Sequence, residues 1–289
     1  MPKENVPLFE IFGPVMIGPS SSHTAGVARI AFLARKMFGV PPERALVRFY
    51  GSLASTWEGH GSADAVAAGL LGIPPEDERL FRGREFLEEL RKEGKGFALR
   101  IVPVNGLPPS WHPNTLVIEL SGPLPAASPG PASPGPVSPA AAPGPASPGP
   151  VSPATGGERG REARLTIRGS SIGGGSIRVD EIDGYGVRLS GELEAILVLH
   201  HDEIGVIAQV SRILASARIN IAGTSSIRKE KGEEALLVVE TDSPVPPGVL
   251  AQIETLSAIY RVMRLPSLEG CPQKEDCPPS ESCPPAEGL

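Results

Sequence analysis

No cysteine occurs in the first 270 residues; the three in the chain, Cys271, Cys277 and Cys283, stand together near its end among prolines and acids. An odd number of thiols in a tail is no disulfide framework, and the body of the chain has no Cys ligand for a cluster or a zinc ion. Positive charge is also short. The net charge is −6, which leaves no electrostatic footprint for nucleic acid. Long apolar runs are missing: nothing approaches the roughly 20 residues of a membrane span. The start, Met1-Pro2-Lys3-Glu4-Asn5, lacks the apolar core of a secretory signal, so a cytoplasmic protein is expected by default.

The apolar fraction, 40%, is a little low, and the deficit is local. Residues 124–160 are almost all Pro, Ala, Ser and Gly, and residues 128–141 recur nearly unchanged as 142–155. With almost no large apolar side chains to bury, the tract is expected to be an extended, solvated spacer. It reads as a low-complexity insertion or as a ligand for a Pro-binding module. Strand-like runs at 115–120 and 163–168 flank it, which makes it an overgrown hairpin loop inside one domain. Such length costs little, because closure entropy grows only logarithmically.

The 289 residues suffice for two small domains. In residues 1–190 a helix is expected at 24–38, with Val27, Ile30, Ala31, Ala34 and Met37 on one face and Gly39 as its stop. Further helices are expected at 63–71 and 84–91. Strands near 45–50, 97–104, 115–120, 165–168 and 177–182 would make a largely antiparallel sheet. Residues 194–265 run strand, helix, strand, strand, helix, strand, the ferredoxin-like order. Residues 266–289 read as a disordered tail, although its cysteines could capture metal or cap a cluster.

The first helix is preceded by Ser20, Ser21, Ser22, His23 and Thr24. One cap residue would satisfy a helix start. Four hydroxyls and an imidazole exceed that need and suit an anion at the positive end of the helix dipole. His60 lies between Gly59 and Gly61, before a helix; His112 lies before a strand, in Trp111-His112-Pro113-Asn114-Thr115. Ser170-Ser171-Ile172-Gly173-Gly174-Gly175 reads as a flexible loop. A lone histidine is more often structural, but three at element ends beside Ser, Thr, Asn or Gly mark a site capable of proton transfer near neutral pH.

Five runs together resemble the β chain of iron–sulfur L-serine dehydratase. They are Phe12 through Thr24, Tyr50-Gly51-Ser52-Leu53-Ala54, Gly59-His60-Gly61-Ser62, His112-Pro113-Asn114-Thr115 and Ser171-Ile172-Gly173-Gly174-Gly175. The resemblance implies deamination of L-serine to pyruvate and ammonia, with a 4Fe–4S cluster on a partner α subunit acting as Lewis acid toward the departing hydroxide. By similarity, His60 and His112 are candidates for the base or its partner. Ser20, Ser21, Ser22, His23 and Thr24 would hold the substrate carboxylate, with Asn114, Gly173, Gly174 and Gly175 completing the pocket. Where the family usually has an Asp, this chain has Ala63, with Asp64 next.

His200 through Val206 and Ile219-Asn220-Ile221 resemble the ACT domain, an amino-acid-sensing module. That resemblance implies an effector contacted by Gly205, Asn220 and Ile221, usually across a dimer interface; regulation and pure assembly stay equally open. The expected fold is thus α+β: a mixed α/β domain, resembling the substrate-binding-like regulatory domain of phosphoglycerate dehydrogenase, then an ACT domain. Two function classes compete. One is an enzyme subunit incomplete without its α partner; the other is a non-catalytic amino-acid-binding regulator, which needs basic groups for a carboxylate but no paired bases.

Overall fold

A computed structural model describes residue 20, residues 22–123 and residues 163–268. Residues 1–19, Ser21, the Pro-rich tract and residues 269–289 lie outside the described residues, and with them the expectations placed on the tract, on Ser21 and on the cysteine tail.

Helix α1 (Ala25–Phe38) is apolar around almost its whole circumference. Val27, Ile30, Leu33, Ala34 and Phe38 are all fully buried. A helix of that kind must be covered on more than one side. It packs on β3 (Thr115–Gly122), β4 (Ala163–Gly173) and β5 (Ser176–Ile182) of one sheet, on α3 (Ser62–Leu71), and on β10 (Ile259–Leu265) of a second sheet. Gly39, at φ 85°, ends it.

The first sheet has the order β2-β1-β3-β4-β5-β6, with β1 at Arg44–Phe49, β2 at Ala98–Pro103 and β6 at Tyr185–Leu189. Only β1 and β2 run parallel. A parallel pair needs a long crossover, which is supplied by α2 (Gly51–Thr56), α3, a 3-10 turn (Glu78–Arg82) and α4 (Gly83–Lys92). Strands β3 and β4 pair from Thr115↔Ser170 to Gly122↔Ala163, so the two flanks of the Pro-rich tract are adjacent strand ends.

Three elements of this domain exceed the sequence expectation: α2, the 3-10 turn and β6. One expectation is corrected. Ser170, Ser171 and Ile172 belong to β4 rather than to a loop. Small polar residues read as a loop in sequence, but here they alternate along a ladder, and Ser170 and Ser171 are fully buried. The turn itself is Gly174-Gly175, both at positive φ (58° and 84°), as a two-residue hairpin requires.

The second sheet, β10-β7-β9-β8, is antiparallel throughout. Its strands β7 (Glu194–His201), β8 (Ile221–Arg228), β9 (Glu234–Thr241) and β10, with α5 (Val206–Ser216) and α6 (Pro247–Glu254), realise the ferredoxin-like order. The central strands β7 and β9 read as continuous apolar runs because both faces are covered. Ile196, Val198, Leu237 and Val239 meet α5 and α6. Ala195, Leu197, Leu236, Val238, Met263 and Leu265 join the core of the first domain. Among the described residues no helix is long and apolar enough to cross a membrane.

Candidate functional site

The site is assembled where four chain segments meet at the start of α1. Two hydroxyls clasp its two central segments reciprocally. The Thr24 hydroxyl donates to the His60 carbonyl (2.9 Å), and the Ser62 hydroxyl donates to the His23 carbonyl (2.7 Å). Both side chains are buried. The backbone turns into α3 at Gly61, whose φ of 68° favours glycine.

The clasp brings the histidines together: Nδ1 of His23 and Nδ1 of His60 are 2.8 Å apart, with ring planes 22° from parallel. One proton must lie between them. Ser20 Oγ lies 3.1 Å from His23 Nδ1 and also accepts from the His23 backbone N–H (3.3 Å). The other ring nitrogen, His23 Nε2, faces Ser52 Oγ (3.2 Å) and Asn114 Oδ1 (3.3 Å). The Ser52 hydroxyl also bonds Asn114 Oδ1.

Ser52 is placed by the strand end before it. Gly51 adopts φ 55°, and a Cβ there would meet the Pro113 carbonyl oxygen at 2.3 Å, so only glycine lets α2 start here. The Ser52 N–H then donates to that same carbonyl (2.8 Å). Asn114 is fixed from the other side: its Nδ2 donates to the Ser171 carbonyl (3.3 Å), and the Ser171 N–H donates to the Asn114 carbonyl (3.0 Å).

His112 sits on the next layer. Its Nδ1 accepts the Asn114 backbone N–H (3.1 Å), and its carbonyl accepts from Thr115 Oγ1 (2.7 Å). Thr115 continues through Ser170 (2.9 Å) to the Asp180 carboxylate (2.7 Å), which also pairs with Arg178. With Nδ1 occupied by an incoming N–H, neutral His112 carries its proton on Nε2. In that form it presents an N–H donor on Nε2.

Burial pushes the His23 pKa below the ordinary histidine value, and the neighbouring His60 adds to this against the opposing bond to Asn114. Burial also lowers His112, aided by Arg178 and opposed by Asp180. Both rings are thus biased toward the neutral form.

The remaining expected residues fall around this group. Thr24 spends its hydroxyl on the clasp, so α1 begins without a side-chain cap. Ser22 is half-buried beside it. Gly173 ends β4, and Gly174 and Gly175 form the β4–β5 turn, tied to α1 by Arg29 Nη1 donating to the Gly175 carbonyl (2.9 Å); no described hydrogen bond links the three to the histidines. The Asp64 carboxylate is gripped by Arg84 (2.8 and 3.0 Å), and Ala63 is buried. Ser52 and Ser62, both within the quoted runs, carry contacts to His23 that sequence reasoning gave no role. Their only signal was proximity to Gly51 and Gly61.

In the second domain Gly205 opens α5 at φ 100°. Asn220 follows that helix, bonds Asp242 (2.5 Å) and precedes Ile221 at the start of β8. An 11-residue helix separates Gly205 from Asn220 by about 16 Å, so one copy does not bring them together. Among the described residues no group of three or more His, Cys, Asp or Glu side chains is placed to hold a metal ion.

Comparison with known proteins agrees with both halves of this architecture. The family model described as serine dehydratase beta chain matches residues 7–100, and that of the ACT domain matches residues 195–258. A probable L-serine dehydratase beta chain from Bacillus subtilis is 36% identical over 258 residues, covering 89% of this chain and 97% of the relative. An L-serine dehydratase beta chain from Peptoniphilus asaccharolyticus is 29% identical over 245 residues, covering 85% and 91%. A D-3-phosphoglycerate dehydrogenase from Synechocystis is 28% identical over 91 residues, covering 32% of this chain and 16% of that protein. On its length-spanning likeness to the Bacillus protein, this chain belongs to the L-serine dehydratase β-chain family and carries an ACT domain in its second half.

Proposed function

We propose that this chain is the β subunit of a cytoplasmic L-serine ammonia-lyase that converts L-serine to pyruvate and ammonia, and that its 4Fe–4S cluster is carried by an α subunit. The names of the two beta-chain relatives support a partner, and this chain spans nearly their full length. The described side chains do not fit a cluster of their own. This chain's own part is therefore the handling of the proton and the carboxylate.

The observation that carries the reading is the 2.8 Å contact between His23 and His60. Elimination across Cα–Cβ requires removal of a weakly acidic Cα proton, and a neutral imidazole is suited to accept it. His60 is the base in this reading; His23 braces it. That moves His23 from the carboxylate-holding set to the proton-handling one. The uncapped start of α1, with Ser20 and Ser22 beside it, offers N–H and hydroxyl donors to the substrate carboxylate. His112 contributes its Nε2–H as a donor at the edge of the pocket. In the ACT domain, Gly205 of one copy and Asn220 and Ile221 of a second would share an amino-acid effector.

Anaerobic co-expression with a cysteine-rich α partner, followed by a serine-to-pyruvate assay, tests the proposal. Pyruvate formation by the complex, lost in His60→Gln with assembly intact, is the expected result. A fully assembled complex that binds serine and releases no pyruvate would refute it in favour of a non-catalytic amino-acid-binding regulator.

A further inference from the structure

We propose that Ser52 and Asn114 are positioning residues: acting through His23, they keep the proton of the histidine pair on His60 Nδ1 and leave His60 Nε2 as the basic nitrogen. This rests on the reading of His60 as the base and specifies which of its atoms does the work.

Each contact along the chain fixes the next. The Ser171 carbonyl can only accept, so the Asn114 atom facing it is the NH2 group (3.3 Å). Asn114 therefore turns Oδ1 toward His23 Nε2 (3.3 Å). The same oxygen accepts from the Ser52 hydroxyl, with the Pro113 carbonyl as a second acceptor at 3.3 Å. With its hydrogen engaged there, Ser52 Oγ also presents a lone pair to His23 Nε2 (3.2 Å). Two acceptors thus converge on one ring nitrogen. A bare Nε2 would set three lone-pair-bearing atoms against one another in a half-buried site, and that arrangement is unfavourable. His23 accordingly carries its proton on Nε2, and its Nδ1 is an acceptor. Ser20 Oγ accepts the His23 backbone N–H (3.3 Å) and, at 3.1 Å from that Nδ1, leaves its single lone pair to the nearer His60.

At 2.8 Å, His60 Nδ1 must then be the donor to His23 Nδ1. In a neutral His60 the remaining nitrogen, Nε2, holds the free lone pair. No described residue hydrogen-bonds His60 Nε2, whereas every polar atom of the His23 ring is engaged. The opposite assignment, with Ser52 donating to a bare His23 Nε2, would put the proton on His60 Nε2 and leave the pair no free lone pair. Gly51 and the Pro113 carbonyl fix the place of Ser52. The run containing Gly51 and Ser52 thereby gains a use: it selects a tautomer rather than touching substrate.

The test reads the tautomers directly. The full-length chain is labelled with 15N-histidine, and long-range 1H–15N correlations are recorded at about pH 8.5, well above the ordinary histidine pKa. The five histidines are assigned by single His→Gln replacements. His23 is expected protonated on Nε2 and His60 on Nδ1. The Ser52→Ala/Asn114→Ala double variant removes both acceptors and should lose that pattern; Asn114→Asp, which restores an acceptor oxygen, should keep it. In the complex with the α subunit, the double variant should lower kcat by between about tenfold and 10⁴-fold, the upper figure being the cost of a wholly wrong tautomer, with little change in KM. A wild-type His60 protonated on Nε2 overturns the proposal without any variant having to fold. An unchanged pattern in the double variant overturns it as well. The spectra do not depend on turnover. A complex inactive on serine but with the expected tautomers sinks the ammonia-lyase reading and supports this one; an active complex with His60 protonated on Nε2 does the reverse.

Discussion

Removing one hydroxyl of the clasp should destabilise the whole first domain. In Ser62→Ala, the His23 carbonyl loses the donor that satisfies it at 2.7 Å, and no other described group replaces it. Ser62 is fully buried, so water is not at hand. Leaving a buried acceptor unpaired costs about 1–3 kcal/mol, more than the net worth of the bond itself. Thr24→Val makes the same cut in the reciprocal bond to the His60 carbonyl, with side-chain volume nearly conserved. Each change should lower the urea midpoint at unchanged m-value, because the surface exposed on unfolding stays the same. In thermal unfolding each kcal/mol should appear as about 2–4 °C. Both bonds brace the same pair of segments, so the double variant should show a coupling of at least about 0.5 kcal/mol. Two single variants each within about 0.5 kcal/mol of the parent, or strictly additive effects, would refute the clasp.

Three further outcomes are expected. His60→Gln in the assembled complex should lower turnover by about 10²–10⁴-fold, the range of general-base catalysis; unchanged steady-state kinetics would remove His60 from the chemistry. The depressed pKa values of His23 and His112 mean that the unfolded chain takes up their protons at higher pH than the folded one. Stability from these two groups is therefore complete above the ordinary value of 6.5 and is lost as pH falls below it toward the folded values. Urea midpoints between about pH 7.5 and 5 should show the fall, and His23→Gln should flatten it. Gly51→Ala must hold a left-handed backbone, costing about 1–2 kcal/mol, and its Cβ must displace the Pro113 carbonyl; a thermal midpoint unchanged from the parent would contradict that.

The elements with strong periodicity were legible in the sequence. The span of α1 follows from its apolar spacing and from Gly39. The ferredoxin-like order follows from apolar runs such as Ile196–Val198 separated by turn residues. What escaped was set by tertiary contact. Six-residue α2 has no periodicity of its own; it exists because Gly51 lets the chain close against the Pro113 carbonyl. Ser170 and Ser171 look like loop residues until β3 and β5 supply their ladders. At the site, the sequence marked the right segments but not the partnerships. Hydroxyls beside a helix start suggested an anion cradle, whereas Thr24 and Ser62 are spent joining backbone to backbone, and His23 faces His60.

The burial of α1 between two sheets has a consequence for how the chain is made. One flank of the helix can be covered only after β10, which ends at Leu265, has left the ribosome. At about 5–20 residues per second, the interval between the completion of α1 at Phe38 and that moment is about 10–50 s. For that time a nearly all-apolar helix keeps one flank uncovered, the kind of surface that makes a nascent chain prone to aggregate.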